Sequence, residues 1–439
     1  MTLTIPPAGP ADAATDGAAT DGATDAAAAA VHAAESFAPP FASSFAKIRA
    51  RARAEAVDRE RDHSLPFGTV EELQRIGFGS RRLTAAERIP LTELFGNVID
   101  LAAADSNLAH LFRGHIAFIE TLLFNGDAAA QERWTARLKG GGLVGNAQSE
   151  RRETTDIATT LTRTADGALL NGRKFYTTGS IYADWIHVSA LDGEDYAGAT
   201  VDARDPGVVV VDDWDGFGQQ LTGSGSTTFT DVPVAPADIE VFSPHGQRFQ
   251  YITGIYQLCL LATVAGIAEA ALADTVDFVR PRRRIFAQAG ERLPRDSELV
   301  QASVGRLSAV AHTARAAVLA NAAELDAALA ARGRGEEAAE AFLGAQLGVF
   351  KTQQTLLPLV LGAVTELFEV GGASAVGTRL GLDRHWRNAR TIASHNPAAE
   401  RARQLGDYHL NGRVPAWRSG DSPGDTAGNT AGNTAGANR

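Results

Sequence analysis

The sequence predicts a mainly α-helical protein with a small β domain in its middle, and the spacing of apolar residues supports this fold class. From about residue 36 to 140, and again after 243, apolar residues recur at intervals of three and four, which is typical of amphipathic helices. Between 141 and 242 the pattern changes to short β-branched runs separated by D-G, N-G and D-P-G turns. A chain of 439 residues, 44% of them apolar, can bury a sizeable core in each part.

These patterns divide the chain into five parts. Residues 36–140 are expected to form an N-terminal helical domain of about five helices, and 141–242 a small antiparallel β-barrel or sandwich. Residues 243–412 contain four long periodic segments, at about 250–280, 296–332, 335–370 and 383–410, which predict a four-helix bundle. Residues 1–35 and 413–439 have low complexity and are expected to be disordered tails.

Charge and composition argue against two classes of partner. The net charge of −11 has the wrong sign for a protein that neutralises phosphates, so a nucleic-acid partner is not expected. The apolar run YQLCLLATVAGIAEAALA is interrupted by Glu269, which favours a bundle helix over a membrane span. No cation precedes Lys47, so the N-terminus has no basic region of a secretory signal, and a cytoplasmic location is expected.

The chain has a single cysteine and no nucleotide-binding glycine motif. Cys259 alone can form neither an intramolecular disulfide nor a cysteine-based metal cluster, and we expect it to be a buried core residue. No GxGxxG follows any predicted strand, so a Rossmann-type nicotinamide site is not supported. No HExxH occurs, and the spacing of His110 and His115 is not a zinc spacing, so no metal site is predicted.

The predicted β domain contains an ordered series of short motifs. Ser149-Glu150, Thr155-Asp156 and Asp166-Gly167 are followed by the run from Asn171 to Thr178, NGRKFYTT. This series resembles the acyl-CoA dehydrogenase superfamily, and the resemblance extends from about residue 45 to 412. The fold of that superfamily, a helical domain, a β domain and a C-terminal four-helix bundle, coincides with the division made from periodicity.

The resemblance implies a flavin at the junction of the β domain and the bundle, in a homotetramer. It places the Thr178 hydroxyl beside flavin N5 and Tyr176 as an aromatic wall, although strand and core positions are the simpler explanations. Arg283, and the Gly371-Gly372 turn, resemble the elements that hold the phosphate end of the flavin. Favourable charge near a helix C-terminus, and helix termination, would also explain these residues.

One departure from the dehydrogenase pattern separates two enzyme classes. Acyl-CoA dehydrogenases commonly carry a catalytic Glu near the end of the bundle, where this chain has His395-Asn396-Pro397. Glu269 and Glu366 on bundle helices are candidates for a relocated base. The SHNP stretch, the closing GDYHLNG and GNAQS at 145–149 instead resemble the flavin-dependent monooxygenase branch, the dibenzothiophene monooxygenase and sugar nitrososynthase type.

The monooxygenase branch implies a two-component mechanism. An NAD(P)H-dependent flavin reductase supplies reduced FMN or FADH2, which reacts with O2 to a C4a-(hydro)peroxyflavin that oxygenates a small substrate at sulfur, nitrogen or activated carbon. The resemblance places His395 where it controls the peroxide proton, His115 across the cavity, and Asn146 as an amide that binds flavin or peroxide.

Each of these residues also has a structural explanation. His395 could cap a helix, and His115 could be a core histidine. His110 is not expected to share a helix face with His115, and Trp214 is expected in the core of the β domain. Two alternative functions remain at this point: an acyl-CoA dehydrogenase with a relocated base, and a non-catalytic member of the superfamily.

Overall fold

The N-terminal part of the chain is helical, as the apolar spacing predicts. The computed structural model describes residues 41–151, 157–284 and 293–416, so the predicted tails lie outside it apart from 413–416. Within these ranges seven helices precede the first strand, because the long periodic stretch is interrupted at Asp105 and Phe112. The helices are α1 (Phe41–Arg61), α2 (Phe67–Arg75), α3 (Arg81–Thr84), α4 (Leu91–Ala104), α5 (Ser106–Leu111), α6 (Arg113–Asn125) and α7 (Ala128–Leu138).

The central segment forms one eight-stranded mixed sheet in the described part of the chain. Five of its pairings are antiparallel, as expected, whereas β1 and β2 both run parallel to β4. The strands are β1 (Val144–Ala147), β2 (Thr160–Thr164), β3 (Gly167–Lys174), β4 (Trp185–Asp192), β5 (Asp195–Asp202), β6 (Val208–Val211), β7 (Ser226–Val234) and β8 (Ile239–Val241).

The two parallel pairings arise because β1 and β2 lie one after the other along β4. Val144–Ala147 pair with the first half of β4, and Thr160 and Leu161 pair with its last two residues. Glu150, in the intervening segment, accepts hydrogen bonds from the backbone of Ala158 and Thr159 and from the buried Lys174 ammonium at 2.9 Å. These charge-assisted bonds lower the pKa of Glu150 to about 2 against the opposing effect of burial.

Within the described residues, the C-terminal segment is mainly helical and packs as the predicted bundle, with the fourth helix of the bundle broken. Three long helices precede this fourth helix. Its break falls at Ser394–Pro397, because proline has no N–H to continue the helical hydrogen bonds. The helices are α8 (Gly246–Val279), α9 (Glu298–Ala331), α10 (Glu336–Glu366), α11 (Asp383–Ala393) and α12 (Ala398–Asn411).

Helix α8 lies at the centre of the molecule. It packs against α4 of the N-terminal segment and against α9 and α10, and it is apolar on most of its surface because neighbours cover most sides. Of the described helices, only α8 is long and apolar enough to cross a membrane, and 83% of its most apolar stretch is buried inside the protein. Cys259 on this helix is buried, as predicted.

The close crossing of α8 and α4 generates a stability prediction. A methyl group at Gly266 would overlap the Ala102 side chain and the Ile99 carbonyl oxygen. Gly266→Ala should therefore force the helices apart and lower the free energy of unfolding by about 1–3 kcal/mol. Gly344→Ala is the matched control, because Gly344 lies on α10 with open space beside it. It should raise stability by up to about 1 kcal/mol. Denaturant unfolding of both variants tests the pair, and equal effects would contradict the packing argument.

Candidate active site

The junction between α5 and α6 brings two side chains of the N-terminal segment to His395. The ring centroids of His110 and His395 lie 6.4 Å apart, edge to face. The Arg113 guanidinium donates from Nη1 to His395 Nε2 at 3.1 Å. His110 and Arg113 are three residues apart, a spacing that places side chains on one helix face, whereas His115 is two residues beyond Arg113.

His395 lies in the break between α11 and α12, and its neighbour fixes that break to the bundle. Asn396 donates to Gln257 Oε1 on α8 at 2.6 Å, and its carbonyl oxygen accepts from Gln353 on α10 at 3.1 Å. The break therefore leaves His395 in a turn that Asn396 fixes to α8 and α10, with the His395 ring against Arg113.

Tyr256 on α8 connects the arginine to the β domain. Arg113 donates from Nε to the Tyr256 carbonyl oxygen at 3.2 Å, and its guanidinium carbon lies 4.7 Å from the centroid of the Tyr256 ring. The Tyr256 hydroxyl donates to Asn146 Oδ1 at 3.0 Å. Gly114 makes this approach feasible, because a Cβ there would overlap the Asn146 side chain. All three segments of the chain thus contribute to one polar group, here called the inter-segment cluster: His110, Arg113, Asn146, Tyr256 and His395.

Gln219 holds the His110 ring from the far side. Its Oε1 lies 2.9 Å from His110 Nδ1, and its Nε2 donates to Ser106 Oγ at 2.9 Å. Its backbone N–H donates to Asn388 Oδ1, and it adopts a positive φ of 54° although it is not glycine, a conformation that persists only where its surroundings impose it. Because an amide oxygen can only accept, His110 carries its proton on Nδ1. Its Nε2 is buried with no hydrogen-bond partner in the described structure.

The electrostatics of the cluster favour neutral imidazoles beside a cation. Burial, with the charge of Arg113, lowers the pKa of His110 to about 3. His395 is exposed at its outer edge, yet the protein around its ring and the Arg113 charge lower its pKa well below the usual range. Its Nε2 accepts from Arg113, so its proton lies on Nδ1, 3.3 Å from Asn396 Oδ1. At neutral pH both rings are neutral and act as hydrogen-bond acceptors, not as cationic acids.

The β domain contributes a wall of hydroxyl groups next to Asn146. The Asn146 N–H donates to the Thr178 carbonyl at 3.2 Å. Thr178 Oγ1 lies 2.8 Å from Ser224 Oγ, which lies 2.7 Å from Thr222 Oγ1. Thr178 is buried and is not the solvent-facing strand residue of the simpler explanation.

Tyr176 lies at the edge of this wall. It is 42% exposed, adopts a positive φ of 61° and contacts Trp214 edge to face at 5.8 Å. An aromatic residue that is both exposed and held at positive φ is typical of a binding surface and not of a core. Trp214 is half-buried in a loop, so the expectation that it belongs to the core of the β domain was wrong.

The predicted phosphate-binding residues form a second group. A Cβ at Gly371 would overlap the Phe278 ring, and the Arg282 guanidinium lies over that ring at 4.5 Å, so the glycine turn and the arginine run meet at the end of α8. Gly372 has a positive φ of 51° and open space beside it, and Arg283 is exposed. Phe286, three residues beyond Arg283, lies outside the described residues. No contact among the described residues joins this group to the inter-segment cluster.

The structure places His115 apart from the cluster. Its Nδ1 accepts the N–H of Val144 at 3.2 Å, its ring packs edge to face against Phe112, and Gly79 covers its Cδ2. Burial lowers its pKa to about 4. His115 therefore orders the start of β1, and the position opposite His395 belongs to His110.

Neither carboxylate considered as a relocated base is free. Glu269 accepts two hydrogen bonds from Arg315, at 2.6 and 2.9 Å, and Glu366 pairs with Arg306 on the surface. A hydrogen-bonded arginine stabilises the ionised form of a carboxylate, and this makes the carboxylate a weak proton acceptor. No contact places either residue against the cluster within the described ranges.

Sequence reasoning missed Arg113, Tyr256, Gln219 and the role of His110. The signal available for the first was the segment HLFRGHIAF, in which His110 and Arg113 share the three-residue spacing of one face. The helix break at Phe112 turns that face inward. Tyr256 and Gln219 carry no motif, because their roles depend on contacts more than 100 positions apart in sequence.

Comparison with known proteins finds a matching family model and several similar enzymes. A family model described as "Acyl-CoA dehydrogenase, C-terminal domain" matches residues 258–400. Dibenzothiophene monooxygenase of Rhodococcus erythropolis is 30% identical over 341 residues, which cover 72% of this chain and 80% of that protein. The protein named "Probable FMNH2-dependent monooxygenase SfnC" of Pseudomonas putida is 27% identical over 336 residues, covering 74% and 82%.

A solved structure shows the same fold. The complex of TdsC from Paenibacillus sp. A11-2 with FMN and indole superposes with a TM-score of 0.78 at 26% identity. The match covers 86% of this chain and 98% of that one, so the architecture is shared almost from end to end.

The protonation of His110 can be tested directly. With ¹⁵N-labelled histidine, the His110 ring should show a protonated Nδ1 and an unprotonated Nε2, without titration above about pH 4. Gln219→Met should remove the preference for Nδ1–H, because no acceptor remains there. His187, which is half-buried beside Thr200 on the β domain, serves as the internal reference that should not change. A His110 that titrates near pH 6.5 would contradict this environment.

Proposed function

Because the chain belongs to the flavin-dependent monooxygenase branch of the acyl-CoA dehydrogenase superfamily, we propose that it uses reduced FMN and O2 to oxygenate a small substrate at the inter-segment cluster. The observation that carries the proposal is the convergence of His110, Arg113 and His395 from two segments next to the Thr178–Ser224 wall of the third. FMN is favoured over FAD because the FMNH2-dependent relative and the FMN-bound TdsC share most of this chain's length.

The residues present fit a flavin ring. The buried Thr178 hydroxyl and the amide of Asn146, whose Nδ2 has no acceptor in the described part of the chain, are the polar groups that the edge of an isoalloxazine needs. Tyr176 and Trp214 supply an aromatic wall beside them. When bound, reduced FMN supplies the electrons that activate O2.

The chain's own residues would exclude water and handle protons. His110 Nε2 has a free lone pair in a buried site, so it can accept a hydrogen bond from a bound group and stays neutral while doing so. His395 Nε2 is already engaged by Arg113, so His395 acts first by holding the guanidinium in place and takes a proton only when that contact opens. The two hydrogen bonds of Asn396, to Gln257 and from Gln353, keep this geometry fixed to the bundle.

The proposal includes a second protein and a second subunit. A separate NAD(P)H-dependent reductase supplies reduced FMN, in keeping with the absence of any GxGxxG after a strand in the sequence. A homotetramer is part of the proposal, because Arg283 and the Gly371–Gly372 turn lie apart from Thr178 and could hold the phosphate end of a neighbour's flavin. A cytoplasmic location remains a prediction.

The proposed reaction class has a direct test. Photochemically reduced FMN is mixed anaerobically with the protein, and buffer that contains O2 and dibenzothiophene or indole is then added. Oxygenated product should form without any reductase. NADH with oxidised FMN should give none until a flavin reductase is added. Acyl-CoA thioesters should not reduce an artificial electron acceptor, since Glu269 and Glu366 are held by arginines. Reduction of the acceptor by an acyl-CoA would restore the dehydrogenase alternative.

Three histidine variants separate catalysis from folding. His110→Ala and His395→Ala should each lower coupled oxygenation by about 10²-fold, the scale of losing one polar group that is aligned with the reacting atoms, while hydrogen peroxide rises. FMN affinity should change little, because Thr178 and Asn146 remain. His115→Ala is the matched control: it should keep coupled turnover but lower the thermal midpoint, since the Val144 N–H loses its acceptor. Turnover lost in His115→Ala and kept in His110→Ala would reverse the assignment.

A further inference from the structure

Arg113 is a buried cation without a counter-charge among the described residues. It is 8% exposed, and no carboxylate in the described ranges lies within ion-pair distance of it. Two other buried arginines show the usual arrangement: Arg59 pairs with Asp105 at 2.8 Å, and Arg82 pairs with Glu120 at 2.5 Å. Burying a cation unpaired is costly, so proteins rarely leave one in this state without a ligand.

The neighbours of Arg113 do not supply the missing charge. Burial raises the pKa values of Tyr256 and Cys259 to about 12, so both are neutral at physiological pH. The two histidines of the cluster are neutral acceptors. The guanidinium therefore faces dipoles and an aromatic ring but no anion.

Part of the donor fork remains available to a ligand. Arg113 uses Nε for the Tyr256 carbonyl and Nη1 for His395, and its Nη2 has no acceptor within the described part of the chain. That atom is not among the buried unpartnered groups, so it is open to solvent. An oxyanion can accept charge-assisted hydrogen bonds from the two N–H groups of Nη2.

We propose that the substrate carries an oxyanion, a sulfinate, sulfonate or carboxylate group, which Arg113 binds through Nη2 beside His110. The identification of the bound anion as a substrate rests on the proposed function, whereas the anion-binding site itself rests on the contacts of Arg113. The anion supplies the charge that the buried guanidinium lacks, and the remainder of the molecule lies towards the hydroxyl wall of the β domain. A neutral compound of the same shape would leave Arg113 uncompensated.

The test is equilibrium binding to the purified full-length chain, without added flavin. Isothermal titration compares benzenesulfinate with methyl phenyl sulfoxide, in which a methyl group replaces the charged oxygen. The wild type should bind the anion at least about tenfold more tightly, the scale of a charge-assisted hydrogen bond. Arg113→Gln should abolish this preference, and Arg113→Lys, which keeps the charge but not the fork, should keep part of it.

The control variant is Arg306→Gln, an exposed arginine paired with Glu366, which should keep the full preference. Thermal midpoints of all variants confirm folding, and Arg113→Lys keeps the test decisive if Arg113→Gln unfolds. Equal binding of the two compounds by the wild type, or an anion preference that survives in Arg113→Gln, would overturn the proposal.

Two further arms distinguish other outcomes. Loss of reduced-FMN binding in Arg113→Gln, with no anion preference in the wild type, would assign the arginine to the flavin and overturn the proposal. Arg113-dependent anion binding in a protein that oxygenates nothing with reduced FMN would support the anion site and sink the proposed function. Efficient oxygenation of neutral compounds alone, without anion binding, would support the proposed function and overturn the anion site.

Discussion

The buried guanidinium of Arg113 is the constraint on which the site depends. It holds the Tyr256 carbonyl of the bundle, contacts His395 in the break of the fourth helix, and lowers the pKa values of both cluster histidines. Because a buried charge needs every available dipole, the three segments of the chain must meet at this point. The Tyr256 hydroxyl in turn donates a hydrogen bond to Asn146 Oδ1, and the Asn146 N–H donates one to the Thr178 carbonyl.

The fold provides this meeting point through interruptions of regular structure. The helical stretch from 106 to 125 is broken at Phe112, the strand pairing along β4 is interrupted between β1 and β2, and the fourth bundle helix is broken at Asn396-Pro397. Two of these interruptions lie at the cluster, because Phe112 falls between His110 and Arg113 and His395 lies in the break of the fourth helix. The regular elements around them, above all the buried helix α8, keep these irregular positions fixed.

Periodicity and motif order were sufficient to predict the fold class and the family, because both depend on patterns along the chain. They also select Thr178, Asn146 and His395 as candidates, because these residues lie in recognisable motifs, and their roles remain predictions. They did not predict that His110, and not His115, lies opposite His395. The directions of the two side chains depend on the helix break at Phe112, which cannot be read from apolar spacing. Arg113, Tyr256 and Gln219 were missed because their importance comes from long-range contacts and burial, which a single sequence does not display.

Oxygen-isotope labelling tests the central claim most directly. The protein is supplied with photochemically reduced FMN and ¹⁸O2 in unlabelled water, with dibenzothiophene, indole and benzenesulfinate as probes, and each product is analysed by mass spectrometry. Transfer from O2 at the cluster predicts one ¹⁸O atom in each product molecule formed. Product that carries oxygen from water, or that forms without O2 in the presence of another electron acceptor, would contradict the assignment as a monooxygenase.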